Sequence, residues 1–91
     1  MPKYDWDPLK EAENRVKHGL DFSQLERFEW DLATLEIDDR EDYGELREKA
    51  VSFIGDVMFV LIFTERNDVV RAISLRKATK LERRQYVQST K

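Results

Sequence analysis

Arg76, Lys77 and Lys80 crowd one short stretch, with Thr79 and Glu82 among them. Cations at this spacing suit the oxygens of a phosphate. The surrounding pattern adds to that. Residues 69–76 alternate, with Val70, Ala72, Ser74 and Arg76 pointing one way and Val69, Arg71, Ile73 and Leu75 the other, which predicts a strand. Thr79-Lys80-Leu81-Glu82 is a capping box, so a helix begins directly after it. The free N–H groups of a helix start also favour anions. Two readings stand: a phosphate-binding corner, or a C-terminal helix with a solvated basic face. Arg76 either grips phosphate with its rigid fork or pairs with Glu82 or an acidic loop residue.

His18 is the single histidine. An imidazole titrates near neutrality, so His18 is the natural general acid or base. The plainer alternative is a cap that bonds the last carbonyls of a helix. Lys17 beside it binds phosphate or helps as a base, or is simply solvated. No Ser–His–Asp set is present, and with no cysteine there is no thiolate ligand or nucleophile. Asp39, Glu41 and Asp42 form an acidic loop, but the spacing of a calcium loop is missing. No metal and no cofactor are expected.

These residues must be positioned by a small fold. Ninety-one residues suit one domain, residues 1–91, burying roughly 60–65% of its unfolded surface. From residue 71 onward seven cations face Glu82 alone, giving +6; the rest then carries −9, for a total of −3. Such polarity can steer a polyanion to one end, although the acidic body argues against direct DNA binding. The N-terminus lacks a signal-peptide pattern and no apolar run reaches ~18–20 residues, so a soluble cytoplasmic protein with no membrane partner is expected.

Tyr4-Asp5-Trp6 reads as a short strand. Asp7-Pro8 starts a helix that runs to about His18 and stops at Gly19. Leu9, Ala12 and Val16 form its apolar stripe, while Lys10, Asn14 and Lys17 share another face. The helix dipole should favour protonated His18. Ser23-Gln24-Leu25-Glu26 is a second capping box, predicting a second helix with Leu25, Phe28 and Leu32 as its stripe. Strands follow at residues 34–38, 49–54 and 57–64, the last two joined by Gly55-Asp56, a type II′ hairpin signal. Residues 58–63 are continuously apolar, as in a central strand. The expected fold is α+β in two layers: an antiparallel sheet of about four strands, two N-terminal helices and one C-terminal helix.

Together the motifs resemble the BrnT family of toxins. They are W-D-P-x-K at Trp6–Lys10, Asn14, K-H-G-x-D-F at Lys17–Phe22, Tyr43-Gly44-Glu45 with Arg47, F-T-x-R at Phe63–Arg66, R-x-I-S-L-R-K-A at Arg71–Ala78, then Glu82 and Tyr86. Ser52 departs from the glycine common in the family, and a small local backbone difference is expected there. The resemblance implies a RelE-like fold and a metal-independent ribonuclease that arrests translation. It also implies a BrnA-type antitoxin partner, with DNA contacted only through the antitoxin complex. For the RNA chemistry it points to His18, Lys17, Arg76 and Arg47 as catalytic. Arg66, Arg71, Lys77, Lys80 and Tyr86 would contact RNA, Tyr86 by stacking unless it packs in the core. A non-catalytic module that only docks such a partner is the competing reading.

Overall fold

The computed structural model describes residues 2–39 and 44–90; Glu41, Asp42 and Tyr43 of the acidic loop and its motif lie outside them. Among the described residues five strands form one sheet: β1 (Lys3–Trp6), β2 (Thr34–Ile37), β3 (Glu48–Ile54), β4 (Val57–Arg66) and β5 (Val69–Lys77). Two α-helices accompany them, α1 (Pro8–His18) and α2 (Lys80–Ser89), with 3₁₀ turns at Phe22–Arg27 and Trp30–Leu32. The spatial order is β1-β5-β4-β3-β2. The pairs β2–β3, β3–β4 and β4–β5 are antiparallel, but β1 lies parallel to β5. The sheet is therefore mixed and has five strands, where about four antiparallel ones were expected. The first strand of the chain returns to pair with the last, a contact that local pattern does not encode.

The hairpin turns follow their chemistry. Gly55 has φ +63 while Asp56 keeps a negative φ, which suits the Gly-X turn joining β3 and β4. Asn67 and Asp68 both have positive φ, the two-residue turn that matches strand twist, and Asn and Asp tolerate it best after glycine. β4 is the central strand and is buried from Met58 to Thr64.

One sheet face carries the main core. Phe22, Leu25 and Phe28 pack there on Ala50, Leu61, Phe63, Val70, Ala72 and Leu75, with Tyr4, Trp6 and Trp30 around them. Each fully buried large side chain contributes about 1.5–3 kcal/mol. The predicted second helix is a 3₁₀ turn instead. Asp21 accepts from the Ser23 N–H at 3.1 Å and caps two residues before Ser23, so the Ser23 box does not form. Phe22, Leu25 and Phe28 then recur every three residues, the period of a 3₁₀ helix, and Leu32 stays exposed. Ser52 lies in an unbroken β3–β4 ladder; its hydroxyl donates to the Glu29 carbonyl at 2.5 Å and ties down this covering segment.

α1 is rotated from expectation. Leu9 and Val16 of its apolar stripe are 72% and 90% exposed, whereas Asn14 is 4% exposed. The reason is an open strand edge. β1 covers β5 only as far as Ala72. Beyond it the peptide groups of Leu75 need partners, and Asn14 supplies them. Its amide donates to the Leu75 and Leu20 carbonyls and accepts from the Leu75 N–H, each at 2.9 Å. Glu11 meanwhile accepts from the Phe22 N–H at 3.2 Å. Unsatisfied buried peptide groups cost more than exposed aliphatic ones, so the polar line of α1 faces inward.

Candidate active site

The second sheet face is partly covered by α2, where Val51, Met58, Val60, Ile62 and Ala78 meet Phe53, Ile73 and Tyr86. Arg76 reaches this face through a β-bulge. Ile62 pairs with Ser74 and Phe63 with Ala72, so Ile73 is an extra residue in β5. The alternation read from sequence slips there. Val70, Ala72 and Leu75 enter the core together, and Arg76, opposite Val60, falls on the other face with Lys49 of β3. Without the bulge, Arg76 would share the face of Val70 and Ala72.

Glu82 holds Arg76. The guanidinium donates to both carboxylate oxygens, at 2.7 and 2.9 Å, and Lys49 Nζ lies 2.9 Å from the same carboxylate. The capping box forms as predicted: Glu82 accepts from the Thr79 N–H at 2.8 Å and donates its own N–H to the Thr79 hydroxyl at 3.2 Å. Arg76 above all, then the Thr79 N–H and Lys49, hold the Glu82 carboxyl far below its ordinary value of 4.5, against the opposing effect of burial. Because the folded pKa is the lower one, ionised Glu82 stabilises the fold at neutral pH. That contribution is lost as pH falls below 4.5 toward the folded value. In thermal melts Glu82→Gln should therefore lower Tm at pH 7 and lose less Tm than wild type on acidification to pH 3; equal losses would refute this role.

The last turn of α1 overhangs β5. A cleft of about 180 Å³ is lined by Lys10, Glu13, Asn14, Lys17, His18, Ile73 and Ser74. Gly19, at φ +71, closes the helix by donating its N–H to the Arg15 carbonyl at 2.8 Å. The cap is thus filled by glycine, and among the described residues the imidazole makes no hydrogen bond. Lys10 and Lys17 form no ion pair among them either. Burial, then the charge of Lys17, then that of Arg76, hold His18 below its ordinary 6.5. These effects act against the helix dipole, which was expected to favour the charged form. All three favour the neutral imidazole, the form that accepts a proton.

The other predicted residues spread outward. A neighbouring hollow, sharing Lys10 and Ile73, is lined by Arg47, Arg66 and Arg71. Each of the three has a carboxylate nearby: Glu45 at 3.5 Å for Arg47 and 3.6 Å for Arg66, Asp5 at 3.2 Å for Arg71. Lys77 follows Arg76 along the strand and so points to the opposite face. Lys80 is exposed on the first turn of α2. Lys77 thus points away from Arg76, which pairs with Glu82 of α2 and lines a separate hollow with Lys49, Ile62 and residues 36–39. Tyr86 packs its ring edge-on against Phe53 at 5.6 Å and donates its hydroxyl to the Leu32 carbonyl at 2.6 Å. Sequence reasoning passed over Lys49 and Lys10. The shared helix face of Lys10, Asn14 and Lys17 was the available signal for Lys10.

A family model described as the ribonuclease toxin BrnT of type II toxin–antitoxin systems matches residues 6–82. The chain belongs to the BrnT family. The crystal structure of the Brucella abortus ribonuclease toxin BrnT is similar to it, with 27% identity and a TM-score of 0.65, over 88% of this chain and 100% of that one. A comparison with curated proteins gives no match. As a BrnT-family chain it comes from toxin–antitoxin systems, which implies an antitoxin partner. Among the described residues no helix is long and apolar enough to cross a membrane, and no three His, Asp or Glu side chains gather as metal ligands.

Proposed function

We propose that this protein is a ribonuclease toxin of RelE-like type that cleaves RNA without a metal ion, arrests translation and is neutralised by a BrnA-type antitoxin. The observation that supports the reading is the cleft beside β5 that Lys10, Lys17 and His18 line, three groups suited to a phosphodiester and its protons. His18 takes the proton of a ribose 2′-hydroxyl. The 2′-oxygen attacks the adjacent phosphorus, and the bond from phosphorus to the 5′-oxygen breaks. Lys17 protonates the departing oxygen, and Arg76, aimed by Glu82, offsets charge on the phosphoryl oxygens. The products carry a 2′,3′-cyclic phosphate and a 5′-hydroxyl. Arg47, Arg66 and Arg71 guide the strand beyond the cleft, with Lys77 and Lys80 at its margin.

Incubation of purified protein with a long RNA in EDTA is the test. Fragments with cyclic phosphate ends are expected; RNA cut only after a divalent ion is restored would refute the mechanism. Arg76→Ala should lower the cleavage rate by roughly 10²–10³-fold, the usual cost of losing one charge-stabilising group, with the circular dichroism spectrum kept. A rate within twofold of wild type would remove Arg76 from the chemistry. A second reading, a non-catalytic module, draws on the bidentate engagement of Arg76 by Glu82. RNA left whole by folded wild-type protein under all ionic conditions would select it.

A further inference from the structure

β2 is the outermost strand, and among the described residues no strand lies on its far side. Which peptide groups face that side follows from the ladder. The Asp38 N–H donates to the Arg47 carbonyl at 2.8 Å. Hydrogen-bonded pairs alternate in an antiparallel ladder. With the register Glu36↔Lys49 and Thr34↔Val51, these pairs are also bonded. Leu35 and Ile37 are therefore the residues whose N–H and C=O groups point outward. Their side chains are 59% and 61% exposed. An open edge with aliphatic side chains is a template for another strand, and no proline or lysine on β2 guards it.

A second copy of this chain meets like charge in the register that uses both outward residues, although Lys49 lies 3.3 Å from Glu36 within each chain. The register that bonds Leu35 to Ile37 of a twofold mate centres on Glu36, which would then face its own equivalent. That pair is the non-hydrogen-bonded, closer kind, and opposed like charges destabilise it. Asp38 and Asp39 extend the negative charge beyond Ile37. We propose that the edge of β2 receives an extended segment of the antitoxin. The segment pairs with Leu35 and Ile37, presents aliphatic residues on their face, and places Lys or Arg against Glu36. The proposal rests on the toxin–antitoxin reading above, and not on RNA cleavage.

The probe is a capped heptapeptide, Lys-Val-Lys-Ile-Lys-Val-Lys, added to the full chain. Amide exchange should start fast at Leu35 and Ile37 and slow at Glu36. Saturating peptide should slow Leu35 and Ile37 at least tenfold and leave Glu36 unchanged. The same peptide with Glu for Lys should have no effect. Ile37→Pro removes an outward N–H without touching the β2–β3 ladder and should abolish binding. Should proline unfold β2, Glu36→Lys keeps every backbone group and should weaken binding at least tenfold. No protection at Leu35 and Ile37, equal binding of the acidic peptide, indifference to Glu36→Lys, or a free chain that already dimerises through this edge would each overturn the proposal. RNA cleavage is read on the same preparation. Peptide binding without cleavage would sink only the enzyme reading; cleavage without peptide binding would sink only the docking edge.

Discussion

His18→Ala is expected to lower RNA cleavage by roughly 10²–10⁴-fold, the usual loss on removing a general base, and to relieve growth arrest on expression. The fold should persist, since Gly19 ends α1 and the imidazole bonds no described residue. The pH profile carries the sharper signature. The working form is the neutral ring, and burial with two cations places its pKa below 6.5. The acid limb of cleavage should be centred below pH 6.5. Initial rates on one RNA from pH 5 to 8 would show this; an acid limb centred above 6.5, or an active alanine variant, would strip His18 of the role.

Asn14→Ala should have the largest effect on stability. It deletes three hydrogen bonds and leaves the N–H and C=O of Leu75 without them. Buried peptide groups left unpaired cost about 1–3 kcal/mol each, so a loss of roughly 2–4 kcal/mol is expected in urea unfolding. Asn14→Asp should be no better. The carboxylate keeps the bond from the Leu75 N–H but turns negative charge on two carbonyls. Activity should fall too, because this amide seats the turn that carries Lys17 and His18. A stability change under 0.5 kcal/mol for both variants would mean that α1 is held elsewhere.

Local signals were legible and their assembly was not. Asp7-Pro8, Gly19, the Thr79–Glu82 box and the Gly55-Asp56 turn are short-range chemistry, and each forms where the residues predict. The buried run at residues 58–63 marks the central strand. Three features escaped because distant residues decide them. The parallel pairing of β1 with β5 joins the two ends of the chain. The orientation of α1 follows from unpaired peptide groups sixty residues away, which override an apolar stripe. The bulge at Ile73 changes which face Arg76 occupies, and a period-two pattern has no way to announce one extra residue. Locating His18 in its cleft and Arg76 against Glu82 thus needed the fold, whereas choosing them as candidates needed only their chemistry.

The grip of Glu82 on Arg76 has a thermodynamic consequence. α2 meets the body largely through that carboxylate and the Tyr86 ring, with Leu81 and Val87 left facing outward. Its anchorage and the aim of the arginine are one equilibrium seen from two ends. Whatever draws the guanidinium off Glu82 loosens the C-terminal helix, and whatever lifts the helix away releases the guanidinium, by the same free energy in either direction.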